Sequence, residues 1–339
     1  SVREARNTEK RRDNRKRRSM RTSYHREPEG RMDLPPTGFR GIFLTMTIDK
    51  KNPGMTAGDE SRRTYRHGLA RPSSYKIGYS LGKWLPREVL FVLADLLADA
   101  THWMNADPAR NLRANLRSAF PRWSEREVEE LAKRIFRNFA RNLVDYGRFH
   151  TITDEVLDRL LPSIQHLHLL EESFAKGRGV ILVTGHIGNW ELGALFFGRH
   201  GFKINVVTIP EGSERIDSIR GAYRTRQNIR TIVVDGSPFS SFEIVAALRR
   251  GEIVAMLVDR WEGAGGVPAK FFGEDRRFPR GPFVLSRATG APIVPALTYT
   301  IPVVRSRMAI KALFTSAVKM ELDRPYGVAL LTAMASSRP

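Results

Sequence analysis

The sequence predicts an α/β fold, with a mostly parallel central sheet flanked by helices and an N-terminal amphipathic, helical segment in front of it. After about residue 160, short apolar runs alternate with helical patterns along the chain. Continuous apolar strands separated by helices are typical of parallel sheets that are covered on both faces. The predicted strands are 179–184, 204–208, 229–234, 253–258 and 291–297, and the predicted helices are 190–199, 215–226, 241–249 and 282–289.

The N-terminal segment 75–104 has apolar residues at helical spacing, which predicts one long helix. Asp95 and Asp99 interrupt its apolar face. We therefore expect this helix to lie in a membrane interface or to pack on the domain, and not to span a bilayer. Trp84 and Trp103 near its ends suit a headgroup boundary, although ordinary core packing explains them equally well.

The chain is strongly basic, with 56 Lys and Arg against 36 Asp and Glu and a net charge of +20. This charge favours an anionic partner, such as nucleic acid or an anionic membrane surface. Residues 1–31 are rich in Arg and Lys and almost free of apolar side chains, which predicts a disordered arm. The arm is either a binding segment or a solvated tail. Because few aromatic rings interleave with its charges, nucleic acid is the less expected partner.

Composition divides the chain into four parts. Residues 1–72 form the basic arm, residues 73–160 a helical, membrane-associating part, and residues 161–315 the α/β core. Residues 316–339 form a small-residue stretch without a clear helix cap. The arm is either native or the product of a misplaced start site, and the last part is either complete or truncated.

The candidate site follows the first predicted strand of the core. Gly185 ends that strand, His186 stands where the next helix begins, and Glu191 lies in the first turn of that helix. Ligands of open α/β sheets bind beyond the carboxyl ends of the strands. The spacing predicts that the carboxylate holds one imidazole nitrogen, which leaves the other to accept a proton from a hydroxyl. Between them, Asn189 offers an amide to orient a substrate and Trp190 a ring to exclude water.

The same residues carry a resemblance to a known superfamily. His186 and Glu191 match the His-x4-Asp/Glu motif of glycerolipid and lysophospholipid acyltransferases. The longer string GHIGNWELGA resembles the branch that contains bacterial lipid A lauroyl/myristoyl acyltransferases and phosphatidylinositol mannoside acyltransferases. Segments 111–121, 136–149 and 257–296 are similar to other parts of that branch.

The resemblance covers roughly residues 75–300 and departs from the family pattern at both ends. The basic arm has no counterpart in the family. A C-terminal motif similar to Pro-Glu-Gln-Trp, which family members usually carry, does not follow residue 316.

The resemblance implies a peripheral or monotopic acyltransferase on the cytoplasmic face of the bacterial inner membrane. Such an enzyme moves a fatty acyl chain from acyl-CoA or acyl carrier protein to a hydroxyl of a membrane glycolipid or lysophospholipid. His186 is then the general base, and Glu191 is the carboxylate that orients it. Backbone N–H groups near residues 185–188 are the expected donors to the oxyanion. No cofactor and no metal is expected, because His166 and His168, which alternate in a predicted strand, lack further ligands at suitable spacing.

The second half of the core contributes the remaining candidates. Arg260 and Arg280 lie in glycine-containing loops and are expected to neutralise phosphates of the acceptor or the donor, unless they are only solvated loop residues. Asp259 either orients Arg260 or binds an acceptor hydroxyl. The predicted substrate-binding residues are Asn189, Trp190, Asp259, Arg260, Arg280 and Gly281, and the predicted acyl-pocket residues, for which core packing is an equally good account, are Phe271 and Phe272.

Two other functions compete with acyl transfer. The first is a thioester or ester hydrolase, in which the same pair activates water. The second is a non-catalytic basic protein that binds membranes or nucleic acid on an acyltransferase scaffold. Salt-sensitive binding that is lost on deletion of residues 1–72, without thioester turnover, favours the second.

Overall fold

The computed structural model describes the middle of the chain as two compact units, residues 82–152 and residues 153–314. The predicted arm, the predicted last part 316–339 and most of the predicted helix 215–226 lie outside the described residues. The ranges described are 82, 84–104, 107–149, 152–161, 163–209, 221, 224–234, 238–260, 266–272, 274–301 and 309–314.

Among its described residues, the first unit contains three helices, α1 (Arg87–Trp103), α2 (Asp107–Ala119) and α3 (Glu125–Arg148). The backbone is not helical at Pro86, directly before α1, so the single long helix predicted for this region is wrong. Proline interrupts helices because its ring removes a backbone N–H and clashes with the preceding turn. None of the described helices is long and apolar enough to cross a membrane.

Helix α3 begins at a capping box. The Ser124 hydroxyl accepts a hydrogen bond from the Glu127 N–H, and the Glu127 carboxylate accepts one from the Ser124 N–H at 2.8 Å. These reciprocal bonds satisfy backbone donors that have no partner inside the first turn of a helix.

A series of ion pairs holds α1 against α3. Arg87 donates two hydrogen bonds to Asp145, at 2.8 and 2.9 Å. Farther along the two antiparallel helices, Arg141 Nε donates to Asp95 at 2.8 Å, and Arg137 Nε donates to Asp99 at 2.8 Å. The two aspartates that interrupt the apolar pattern of α1 therefore face an arginine on α3, in agreement with the prediction that the helix does not span a bilayer.

The second unit is the α/β core, in which the predicted mostly parallel sheet flanked by helices is confirmed. Five of its strands, in the order β8-β2-β5-β3-β4, are parallel neighbours, and β9 joins β8 in the antiparallel direction, with β1 at the far edge. Its elements are α4 (Asp154–Leu160), β1 (Ser163–Gln165), α5 (Leu167–Ala175), β2 (Val180–Thr184), α6 (Trp190–Arg199), β3 (Ile204–Thr208), β4 (Ile229–Val233), α7 (Pro238–Arg249), β5 (Ile253–Leu257), β6 (Val267–Phe271), β7 (Glu274–Phe278), α8 (Gly281–Thr289), β8 (Ile293–Ile301) and β9 (Ala309–Phe314).

The core of this unit lies where β2 and β5 meet helices α7 and α8. Ile181 and Val254, from the two central strands, and Phe283, from α8, are all buried there. Buried apolar side chains of this kind stabilise a domain by about 1.5–3 kcal/mol each. The packing fixes the strand ends from which the candidate site is built.

Three parts of the core differ from the prediction. His166 and His168 do not alternate in a strand: His166 is a left-handed residue (φ 56°) that precedes α5, and His168 lies inside that helix. The two-stranded antiparallel sheet β6-β7 and the strands β1 and β9 were not predicted. The two strands of the hairpin read VPAKF and EDRRF and contain no continuous apolar run of the kind that identifies the central strands.

Candidate active site

The candidate site lies at the carboxyl end of β2, where the chain turns into α6. Gly188 in this turn has a φ of 59°, a left-handed conformation that glycine adopts without steric cost. Asn189 is buried, and its side-chain oxygen accepts a hydrogen bond from the Leu192 N–H at 3.2 Å, which caps α6. The turn and the cap together fix His186 in front of the helix N-terminus.

His186 is paired with Asp259, the residue that stands at the same level on the adjacent strand. The last paired residues of the two strands are Thr184 and Leu257, and His186 and Asp259 each come two positions later. His186 Nδ1 lies 2.9 Å from Asp259 Oδ1, and the His186 backbone N–H donates to Asp259 Oδ2 at 2.7 Å. The carboxylate therefore binds both the ring and the backbone of the histidine.

The Asp259 carboxylate is ionised at neutral pH. Burial raises its pKa, but the hydrogen bond and the attraction of the His186 side chain, with bonds from backbone N–H groups, lower it more, so that its pKa lies below the ordinary value. An ionised carboxylate on Nδ1 fixes the imidazole with the proton on that nitrogen, and base chemistry falls to Nε2.

A close approach of the two strand ends makes this pairing possible. A side chain at Gly185 would place its Cβ 3.4 Å from the Cβ and Cγ of Asp259 and 3.3 Å from the side chain of Ile187. Trp190 lies on another side of the imidazole: its ring meets that of His186 edge-on, with 4.9 Å between centroids. Trp190 thus lies beside the histidine, and its role in excluding water stays a prediction.

Glu191 does not occupy the position that the sequence predicts for it. It forms a buried, two-bonded ion pair with Arg224, whose Nε donates to Glu191 Oε2 at 3.3 Å and whose Nη2 donates to Oε1. Arg224 also donates to Thr231 of β4 at 3.4 Å. The carboxylate on His186 Nδ1 is Asp259 because the two strand ends are adjacent, whereas Glu191 faces the segment before β4.

Comparison with known proteins identifies the family of the chain. Residues 63–312, well over half of the chain, match the family model for bacterial lipid A biosynthesis acyltransferases. The chain belongs to this family. The predicted superfamily, and the lipid A acyltransferase branch within it, are therefore confirmed.

The relatives are 25–28% identical to this chain over the residues that align. A phosphatidylinositol mannoside acyltransferase of Mycobacterium tuberculosis (strain ATCC 25618 / H37Rv) is 28% identical over 172 residues, which are 45% of this chain and 52% of the relative. The chain thus spans about half the length of that relative. A lipid A biosynthesis lauroyltransferase of Escherichia coli (strain K12) is 28% identical over 230 residues, 67% of this chain and 68% of the relative.

Three other predicted site residues, Arg260, Arg280 and Gly281, lie in a loop or at a helix start on the same edge of the sheet. Arg260 directly follows Asp259 and is exposed, and Arg280 is an exposed residue at the N-terminus of α8, in front of Gly281. Phe271 and Phe272 lie at the end of β6 and in the following turn, with their rings edge to face at 4.7 Å between centroids. The substrate and acyl-pocket roles of these residues remain predictions.

Sequence reasoning missed two features of the site, the pairing of Asp259 with His186 and the contribution of Arg224. An Asp directly after the apolar run 253–258 was a visible signal, because the carboxyl ends of parallel strands share one edge. Knowledge that β5 lies next to β2 was needed to use it. Arg224 carried no distinguishing pattern among the many arginines of the chain.

Proposed function

We propose that the protein transfers a fatty acyl chain from an acyl thioester, either acyl-CoA or acyl carrier protein, to a hydroxyl of a membrane glycolipid or lysophospholipid. The observation that carries the proposal is the His186–Asp259 pair at the carboxyl edge of the sheet, in a chain of the lipid A acyltransferase family. The names of the relatives support a glycolipid acceptor.

In the proposed reaction His186 acts as the general base. Its Nε2 takes the proton of the acceptor hydroxyl while that oxygen attacks the thioester carbonyl, and an oxyanion forms. When the tetrahedral intermediate collapses, the carbon–sulfur bond breaks and the imidazolium returns its proton to the departing thiolate. Asp259 holds the ring and stabilises the imidazolium, which is the part of the mechanism that the sequence assigned to Glu191.

Two of the backbone N–H groups in the segment 185–188, which was expected to bind the oxyanion, already have hydrogen-bond partners. The His186 N–H donates to Asp259, and the Ile187 N–H donates to the Gly185 carbonyl at 2.7 Å, so both are already used within the turn. We assign the stabilising potential to the N-terminus of α6, where backbone dipoles add to a positive partial charge next to His186.

In this proposal the site binds its substrates with residues of the same edge. Arg260 and Arg280 would neutralise phosphates of the lipid headgroup or of the donor's pantetheine arm, because guanidinium groups bind phosphate with two parallel hydrogen bonds. Trp190 would shield the imidazole from water. Phe271 and Phe272 would contact the acyl chain.

We further propose that α1 attaches the enzyme peripherally to the cytoplasmic face of the inner membrane. One face of this helix exposes large apolar side chains that the helical unit does not cover. Val92 is 61% exposed, Leu96 62% and Trp103 85%. An amphipathic helix with such a face binds in the interfacial plane of a bilayer, and basic surfaces add attraction to anionic lipid.

The test is consumption of thioester by the purified full chain. It uses labelled palmitoyl-CoA, and in parallel palmitoyl acyl carrier protein, with a total bacterial lipid extract, and mass spectrometry of the products. We expect a new acylated lipid that is absent with H186A. Release of free fatty acid without acceptor, at the rate of transfer, would instead establish a hydrolase. No turnover with either donor would contradict both.

A further inference from the structure

Most of the exposed large apolar side chains of the α/β unit lie at one edge of its sheet. Among the described residues of this unit, six large hydrophobic side chains are exposed, and five of them stand at strand ends or helix starts of the carboxyl edge, where His186 also lies. The sixth, Phe272, lies in the turn of the β6-β7 hairpin. We call the five the edge patch, which consists of Ile209, Val233, Phe239, Phe242 and Val284.

The most exposed members of the edge patch are two phenylalanines at the start of α7. Phe239 is 76% exposed and Phe242 is 70% exposed, and their spacing of three places both on one face of the helix. Val284, in the first turn of α8, is 56% exposed. Helices α7 and α8 pack side by side on the same core cluster, and both start at the carboxyl edge. Large exposed apolar groups that cluster in this way mark interaction surfaces.

The opposite edge of the same sheet has a different surface. Among the described residues no large hydrophobic side chain is exposed there, and the exposed residues include the charged Lys176 and Arg178 before β2, Lys203 before β3 and Arg249 at the end of α7. If the edge patch were ordinary surface variation, apolar side chains would be found at both ends of the strands. Their restriction to the edge with His186 connects the patch to the site.

We propose that the edge patch inserts into the lipid bilayer, so that the sheet edge with His186 is a membrane contact of its own, separate from α1. This inference rests on the proposed function, since an acceptor hydroxyl at a membrane surface is reached only from an edge that meets that surface. The exposed Arg260 and Arg280 at the same edge complement anionic headgroups, while the phenylalanines enter the acyl boundary.

The natural chain contains no Cys, which allows a direct test by single-cysteine labelling. Phe242→Cys and, as the matched control, Lys203→Cys are each labelled with an environment-sensitive fluorophore in the full chain. Each is then mixed with vesicles of phosphatidylethanolamine and phosphatidylglycerol, without thioester. We expect a blue shift and a gain in intensity for the label at 242, and an unchanged spectrum for the label at 203.

Other outcomes would overturn the inference. No shift at 242, or equal shifts at both positions, would exclude insertion of this edge. A shift at 242 that acyl carrier protein causes and vesicles do not would make the patch a protein-docking surface instead. The vesicle assay does not depend on acyl transfer. If the label at 242 inserts but the chain transfers no acyl group, only the proposed function is contradicted.

A second measurement uses unlabelled protein. The double variant F239S/F242S should bind the same vesicles more weakly, by about tenfold for each ring removed from the apolar boundary. Ser241→Ala, on the same exposed turn, is the matched control and should bind as the natural chain does. If F239S/F242S binds the vesicles as tightly as Ser241→Ala does, the inference is contradicted, whatever the spectra of the labelled variants show.

Discussion

Each of the two units contains a histidine that is hydrogen-bonded to a carboxylate. The two pairs differ in the exposure of the histidine and in the other partners of the carboxylate. In the α/β unit His186 Nδ1 lies 2.9 Å from Asp259, and in the helical unit His102 Nε2 lies 2.6 Å from Glu129. The His102 side chain is 6% exposed, and among the described residues its Nδ1 is buried without a hydrogen-bond partner. The His186 side chain is 20% exposed and stands at the edge where strands end.

The surroundings of the two carboxylates explain the difference. Arg113 donates to both oxygens of Glu129 and approaches His102 Nε2 at 3.1 Å, so the charge of Glu129 is already compensated. The forces that lower the pKa of Asp259 come from His186 and backbone N–H groups. A carboxylate that an arginine neutralises stabilises an imidazolium less. The short contact alone therefore does not identify a catalytic pair, whereas its partners and its place in the fold do.

The largest expected effect separates the two histidines. H186A should lower acyl transfer by about 10³-fold or more, because it removes the base. H102Q should leave transfer unchanged as long as the helical unit stays folded, since His102 is enclosed by its own helices. Initial rates with labelled palmitoyl-CoA and circular dichroism of both variants provide the measurement. A loss of turnover in folded H102Q equal to that of H186A would remove the distinction between the pairs.

The next effect tests Asp259 as the positioning residue for His186. D259N keeps the shape of the side chain but removes the charge, and it should lower kcat by roughly 10²–10⁴-fold with little change in KM. Because the pKa of Asp259 is lowered in the folded state, the stability that the carboxylate contributes is present at neutral pH and disappears below about pH 4. D259N has no carboxylate at this position, so its stability should not show this loss when the pH is lowered. Natural kcat in D259N would contradict the role.

Glu191 offers a third test, in which stability and not chemistry is the expected readout. E191Q leaves the buried Arg224 without its counter-charge and should reduce the free energy of unfolding by about 3–5 kcal/mol. The double variant E191Q/R224M should recover much of that loss, because no unpaired charge stays buried. Urea unfolding of the single and double variants measures both values. If E191Q keeps its stability but loses turnover by orders of magnitude, Glu191 is catalytic, as the sequence alone predicts.

The difference between local sequence patterns and contacts that depend on the fold explains which parts of the structure could be predicted from the sequence. Central strands such as β2 and β5 were predictable because strands buried on both faces are continuous apolar runs, and the helix start at Ser124 was predictable from a local bonding pattern. The His186 position followed from the strand end. The partner of His186 was not predictable, because a residue 73 positions away reaches the imidazole only through the order of strands in the sheet. Local spacing favoured Glu191, which the fold turns toward Arg224.

The smallest expected effect concerns Glu129, the carboxylate that is hydrogen-bonded to His102 in the helical unit. The hydrogen bond from Arg113 is the largest cause, and with the contribution of His102 it outweighs the opposing effect of burial, so that the pKa of Glu129 falls from 4.5 to about 2. A lowered folded-state pKa adds stability that is complete above about pH 4.5 and is lost as the pH falls toward 2. Because the Glu129 side chain is half exposed, water screens the pair, and E129Q should cost the helical unit no more than about 1 kcal/mol at neutral pH.

That loss should shrink as the pH falls below about 4.5 and vanish only below about pH 2, where the natural carboxyl group is neutral in the folded chain as well. Urea unfolding at pH 7 and near pH 3, followed by far-UV circular dichroism, compares the natural chain with E129Q, and E125Q serves as control for an exposed acid of the same helix that also pairs with an arginine. A difference that stays the same at both pH values would mean that Glu129 acts by packing and not by charge. Unchanged acyl transfer in E129Q completes the contrast with D259N, since only one of the two carboxylates serves a histidine at the edge of the sheet.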